Sequence, residues 1–186
     1  MKTALLIVDF QNDYFPTFNG AKFPLHQTEQ AADKAAKLLA AFRSKGLPVV
    51  HVRHVFQGEN APFFGEGTQG AEIHASVAPI EGEAVVIKHQ INSFRDTELL
   101  EILKKQGIEK LIVAGAMSHM CIDAAVRAAC DFGFQCAVAH DACATRDLEF
   151  NGKVVPAEQV HAAYMAALAF AYAQTDTAEN LINELK

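Results

Sequence analysis

Thr97-Glu98-Leu99-Leu100-Glu101-Ile102-Leu103-Lys104-Lys105-Gln106-Gly107-Ile108-Glu109-Lys110-Leu111-Ile112-Val113-Ala114 changes its hydrophobic period part-way along. Leu99, Leu100, Ile102 and Leu103 share one face of a helix. Leu111 to Ala114 is instead a continuous apolar run, as in a strand buried on both faces. Gly107 stands between them and can end the helix by taking a left-handed backbone. The spacing predicts a helix over 97–106 and a strand over 110–114. The same order recurs on either side. Glu29–Lys45, Gly46 and Leu47–Val52 form one unit; His119–Phe132, Gly133 and Phe134–Ala139 form another. Ala4–Val8 and Ala84–Ile87 read as further strands. Pro156 fits the first turn of a long helix running to about Tyr172, and Thr175 begins a short sixth strand. Helix-then-strand repetition of this kind predicts an α/β fold: a doubly wound, mostly parallel sheet of about six strands with helices on both faces, Rossmann-like in plan. Nothing in the composition breaks residues 1–186 into more than one domain. One segment interrupts the rhythm, the polar, glycine-rich stretch 56–82 tipped by Phe63 and Phe64. A loop of that length in a compact domain is expected to be a lid or a subunit contact.

Charge and apolar patterning exclude several classes of function. A net charge of −6 without a Lys/Arg cluster argues against nucleic acid as a partner. The apolar run at the N-terminus is five residues long and ends on Asp9, with no small-residue cleavage site after it, so it reads as a strand and not an export signal. Val160–Ala173 is too short to span a bilayer, so no membrane partner is expected and the cytoplasm is the expected location. The four cysteines, Cys121, Cys130, Cys136 and Cys143, make no CxxC pair, which weakens a zinc or thioredoxin-like reading. Gly65-Glu66-Gly67-Thr68-Gln69-Gly70 fits the dinucleotide-binding pattern in letters only, since it follows no strand and opens no clear helix.

Ligands of doubly wound sheets bind beyond the carboxyl ends of the strands. The residues found there are Asp9, then Arg53 and His54, then Lys88 and His89, then Gly115 to Cys121, then His140 and Asp141. Cys121 is placed in the first turn of a helix, where free N–H groups and the helix dipole favour a thiolate and can hold an oxyanion. A nucleophile needs a proton acceptor, and Asp9 ends a fully apolar strand beside it. Lys88 ends another such strand and needs a counter-charge. Taken singly, each has an ordinary explanation: a loop cap, a solvated end, a packed core thiol. The three together at strand ends are more specific. His119, two residues from Cys121, would face roughly the other way on a helix, while His140 and His161 stay open as partners for the thiol.

Three motifs add to this. They are Leu6-Ile7-Val8-Asp9-Phe10-Gln11-Asn12-Asp13; Val86-Ile87-Lys88 followed by Ser93-Phe94; and Gly115-Ala116-Met117-Ser118-His119-Met120-Cys121-Ile122 with Arg127-Ala128-Ala129 and Asp141-Ala142-Cys143-Ala144. In this order they resemble the isochorismatase-like cysteine hydrolases, which include nicotinamidases and carbamoylsarcosine amidases. The resemblance implies that fold and an Asp9, Lys88, Cys121 triad that cleaves a small amide through a thioester. It also implies a cis peptide before Met117 and an oxyanion hole from the N–H groups of Met117 and Cys121. Cys121 itself points away from isochorismate, since true isochorismatases lack the cysteine. Nicotinamidases carry a zinc site on an Asp-x-His pair after the second strand; here that region reads His51-Val52-Arg53-His54, and neither metal nor other cofactor is expected. His119 replaces the Asp or Asn common at its position. Substrate contacts are expected from Gln11, Phe15, Phe18, Phe63, Phe64 and His119. The alanine-rich helix 161–173 is expected to serve both as core and as the contact of a homodimer or homotetramer. Two other readings are a non-catalytic member that binds a metabolite or partner protein, and a zinc-assisted nicotinamidase.

Overall fold

The structure is a computed structural model that describes residues 1–185. Six parallel strands form one sheet in the order β3-β2-β1-β4-β5-β8. They are β1 (Thr3–Val8), β2 (Val49–His54), β3 (Ala84–Lys88), β4 (Lys110–Ala116), β5 (Gln135–Ala144) and β8 (Ala173–Asp176). The doubly wound parallel sheet expected from the helix–glycine–strand rhythm is therefore present. Alternation along β1 decides which side each residue feeds. Leu5 and Ile7 join one core with Leu38, Leu39 and Phe42 of α1 (Thr28–Ser44) and Leu181 of α5 (Ala178–Asn183). Ala4, Leu6 and Val8 join the other, against α2 (Leu99–Lys105), α3 (Asp123–Asp131) and α4 (Ala157–Ala171). Burial on both faces explains why the strands read as unbroken apolar runs.

Three elements differ from the sequence reading. A hairpin, β6 (Leu148–Phe150) with β7 (Lys153–Val155), lies outside the main sheet. The helix expected from His119 begins instead with a π-helical turn, Ser118–Ile122, before α3 proper. The stretch 56–82 is not featureless: it contains two short 3-10 turns, Gln69–Ala71 and Ala75–Val77, and the bridges Phe56 to Gly65 and Gln11 to Ile73. The glycines at 65–70 open no helix; a Cβ at Gly70 would collide with the Asp13 carboxylate.

The winding direction reverses between β1 and β4, which are hydrogen-bonded neighbours from Thr3–Lys110 to Val8–Gly115. Crevices beyond the strand ends at such a reversal are where this kind of sheet binds ligands. Gly115 is required there. Its φ is 141°, and a Cβ would run into the backbone of Val8.

Candidate active site

Asp9 follows β1 with a left-handed φ of 54°, a conformation that aspartate tolerates better than most side chains. Its N–H donates to Val52 O at 3.0 Å, which fixes the turn against β2. Lys88 ends β3 in register with His54 of β2. The Lys88 Nζ stands 2.9 Å from Asp9 Oδ2, and both side chains are without solvent contact. The ammonium approaches as an ion pair and donates its aligned hydrogen bond to Ile91 O at 2.8 Å. Among the described residues, neither Asp9 carboxylate oxygen receives an aligned hydrogen bond. A buried carboxylate with unfilled acceptor positions can take a proton.

Cys121 brings a thiol close to it. It lies in the π-helical turn after β4 and is 1% exposed. Its Sγ, a carboxylate oxygen of Asp9 and a ring nitrogen of His54 all lie within 4.8 Å of one another. Burial, and then the Asp9 charge, push the thiol pKa well up, while Lys88 opposes them. Desolvation and a carboxylate neighbour thus oppose the thiolate that the helix dipole alone would favour. Burial also works against the charge on Lys88, but Asp9 and Cys121 more than compensate and raise its pKa. The Ala116–Met117 peptide is cis, as the resemblance implied. Among the described residues the Met117 N–H has no acceptor, and its carbonyl accepts from Met120 and Ile122.

Sequence reasoning did not single out His54 for this site. It is 2% exposed, with Nδ1 4.0 Å from Asp9 Oδ2 and Nε2 unpartnered, and its ring stacks on Phe56 at 4.4 Å. Burial lowers its pKa to about 4, so the ring is neutral. Alternation separated it from His51 but could not say which of the two faced Asp9. Tyr14 was missed as well. Its buried phenol feels both Cys121 and Asp9, and burial first, then those two groups, raises its pKa.

A family profile described as the isochorismatase domain matches residues 3–178. The chain belongs to the isochorismatase family. It is a hydrolase of that family. An uncharacterized isochorismatase family protein of Bacillus subtilis, YddQ, is 53% identical over 179 residues, covering 96% of this chain and 98% of that one. The crystal structure of an isochorismatase hydrolase from Oleispira antarctica is 65% identical, with a TM-score of 0.95 and coverage of 98% and 96%. A maleamate amidohydrolase of Pseudomonas putida is 31% identical over 158 residues, covering 78% of this chain and 73% of that one.

Within this isochorismatase-family fold the residues expected to touch substrate turn out to have varied surroundings. Gln11 is fully buried and its amide is spent on backbone: Nε2 donates to His54 O and Ala71 O, both at 2.7 Å, and Oε1 accepts from His54 N at 2.8 Å. It positions the start of the 56–82 loop and has no free group to offer a ligand. Phe15 is fully buried and stacks on His74 with centroids 3.7 Å apart. Phe64 is fully buried against Tyr14 at 4.5 Å, and its N–H donates to Asp13 Oδ2 at 2.7 Å. These two are core packing, because a loop aromatic with an aromatic partner gains more from burial than from facing solvent. Phe18 and Phe63 are partly buried against the same cluster. His119 meets Thr145 Oγ1 at 2.6 Å and stands edge-on to Tyr164. His161 is tied to Ser118 Oγ at 2.8 Å. The residues ending β2 do not fit an Asp-x-His zinc site. Arg53 pairs with Glu72 at 2.6 Å and donates to Ala71 O, and His51, on the same face of the strand and opposite to His54, meets Glu83 at 2.9 Å.

Proposed function

We propose that the protein hydrolyses a small amide through a covalent thioester on Cys121, with Asp9 as proton carrier and Lys88 as its counter-ion. One observation carries this reading: the sealed Lys88–Asp9 ion pair, whose carboxylate oxygens make no aligned hydrogen bond and lie beside the Cys121 thiol. The thiol proton passes to Asp9 as sulfur attacks the carbonyl carbon. The N–H groups of Met117 and Cys121 stabilise the resulting oxyanion. Collapse breaks the C–N bond, and the amine leaves with the proton held by Asp9. Water then gives a proton to Asp9 as it attacks the thioester. The second collapse frees the acid and returns the proton to sulfur. Lys88 keeps the carboxylate charged at the start of each half and fixes its direction. Similarity to a maleamate amidohydrolase supports an amide as substrate.

Because Cys121 is 1% exposed, some part of the chain must move to admit substrate, and we assign the 56–82 loop as that lid. The test is a panel of small primary amides followed by ammonia release, with intact-protein mass after acid quench. Wild type is expected to show both turnover and an acyl adduct, and Cys121→Ser neither. Turnover by Cys121→Ser at the wild-type rate would overturn the assignment.

A further inference from the structure

Asp9, His54 and Cys121 offer one oxygen, one nitrogen and one sulfur, all buried and all within 4.8 Å of one another. Few hydrogen bonds have to be given up: among the described residues Asp9 Oδ1 and His54 Nε2 have no hydrogen-bond partner, and Asp9 Oδ2 meets Lys88 Nζ as an ion pair at 2.9 Å. Buried polar atoms left in that state gain from any cation that fits them. Around a tetrahedral ion with ordinary Zn–S, Zn–N and Zn–O lengths, ligand atoms stand roughly 3.3–3.6 Å apart. The set therefore closes with about 1 Å of side-chain movement. A mixed S, N, O donor set selects zinc-like cations over magnesium or calcium.

We propose that the pocket of the triad is also a site for a thiophilic divalent cation, held by Asp9, His54 and Cys121, and that the cation switches the enzyme off reversibly. The inhibitory half rests on the reading of Cys121 as nucleophile; the binding half does not. On binding, the Cys121 S–H bond breaks, its proton goes to the buffer, and a sulfur–metal bond forms. The carboxylate and thiolate bring two negative charges to the dication. Lys88 Nζ stands 2.9 Å from Asp9 Oδ2, so the ion shares the carboxylate with the ammonium. The site differs from a metal that assists hydrolysis, because it consumes the attacking atom.

The experiment titrates chelator-treated full-length protein with Co2+ and with Zn2+. Expected are one ion per chain, one proton released, and a near-ultraviolet thiolate-to-cobalt band. The band should vanish in Cys121→Ser and persist in Cys130→Ser, which controls for the other thiols. His54→Asn and His54→Gln are both made because His54 is buried, and each is checked by thermal melting without metal. Loss of outer-shell partners alone costs ~10–100-fold in metal affinity, so a folded His54 variant should bind at least about tenfold more weakly. Zinc should raise the wild-type melting temperature, and a chelator should restore hydrolysis. A missing band, a band that survives in Cys121→Ser, or unchanged affinity in a folded His54 variant would overturn the proposal. A cobalt site lost in Cys121→Ser, in a protein that hydrolyses no amide, would sustain the cation site and sink the amidase reading instead.

Discussion

Lys88 and Asp9 have no solvent to fall back on, and this decides what removing either one does. Asp9→Asn leaves a buried ammonium without its counter-charge, a defect that costs roughly 3–5 kcal/mol. It is expected to lose hydrolysis and also to unfold at markedly lower denaturant. Lys88→Met should do the same from the other side. The double variant Asp9→Asn/Lys88→Met removes both charges; it should recover much of the stability while staying inactive. Denaturant midpoints of the four proteins check this, and additive losses would show that the two side chains are not coupled. Gly115→Ala is a second case, since its Cβ meets the Val8 backbone. It should destabilise by several kcal/mol or prevent folding, as overpacking against immovable backbone does, and the soluble yield and melting temperature measure it. That Asp9, Lys88 and Cys121 follow strands was legible in the sequence, because a residue after a parallel strand falls at the sheet's carboxyl edge wherever that strand sits in the sheet. His54 was not: periodicity gives two faces but no label for the one that looks at Asp9. The ring contacts of Phe15 and Phe64 were not legible either, because an aromatic in a polar loop looks the same in sequence whether it faces a ligand or another ring.

Gln11 links β1 to the loop after β2 by three hydrogen bonds, all to main-chain atoms of His54 and Ala71. Gln11→Ala strands those buried groups, each worth about 1–3 kcal/mol when left unsatisfied. Amide hydrogen exchange should speed up across 54–72 while β4 and β5 keep their protection. Equal acceleration everywhere would mean that the clamp acts on global stability only. Most elements could be read from the helix–glycine–strand rhythm. The β6–β7 hairpin carried a signal that went unused: Asn151-Gly152 between Leu148-Glu149-Phe150 and Lys153-Val154-Val155 is a two-residue turn flanked by strand formers. The π-helical turn at Ser118–Ile122 had no such signal. It follows from the way β4 ends, and nothing in the local composition separates it from an ordinary first helical turn.

Across the whole molecule, burial of neutral histidines sets the response to acid. Burial lowers the pKa of His54 to about 4 and lowers that of His51 as well. The His54 ring is neutral in the fold near pH 7 but charges in the unfolded chain below about 6.5, so its stability contribution is full above that pH and falls as pH drops toward the folded value. For His54 the gap corresponds to about 3 kcal/mol. Glu83 follows at lower pH. Burial favours its neutral form, yet Arg43, the Ile80 N–H and His51 hold it at about 2, so its share is lost as pH falls from about 4.5 through that value. Urea midpoints should therefore decline from pH 7 to pH 5 and more steeply by pH 4. A flat profile down to pH 5 would contradict the buried neutral rings. The sheet order, unlike the strands themselves, needed the structure; sequence rhythm fixes that strands run parallel but not that β1 and β4 are neighbours. One earlier detail bears on how such a protein can diversify. Because Gln11 grips only main-chain atoms, its hold is indifferent to which side chains the loop carries. The exposed residues 57–60 can drift, or be randomised in a library, without disturbing that clamp. New substrate preferences would then arise in that stretch while Asp9, Lys88 and Cys121 stay as they are.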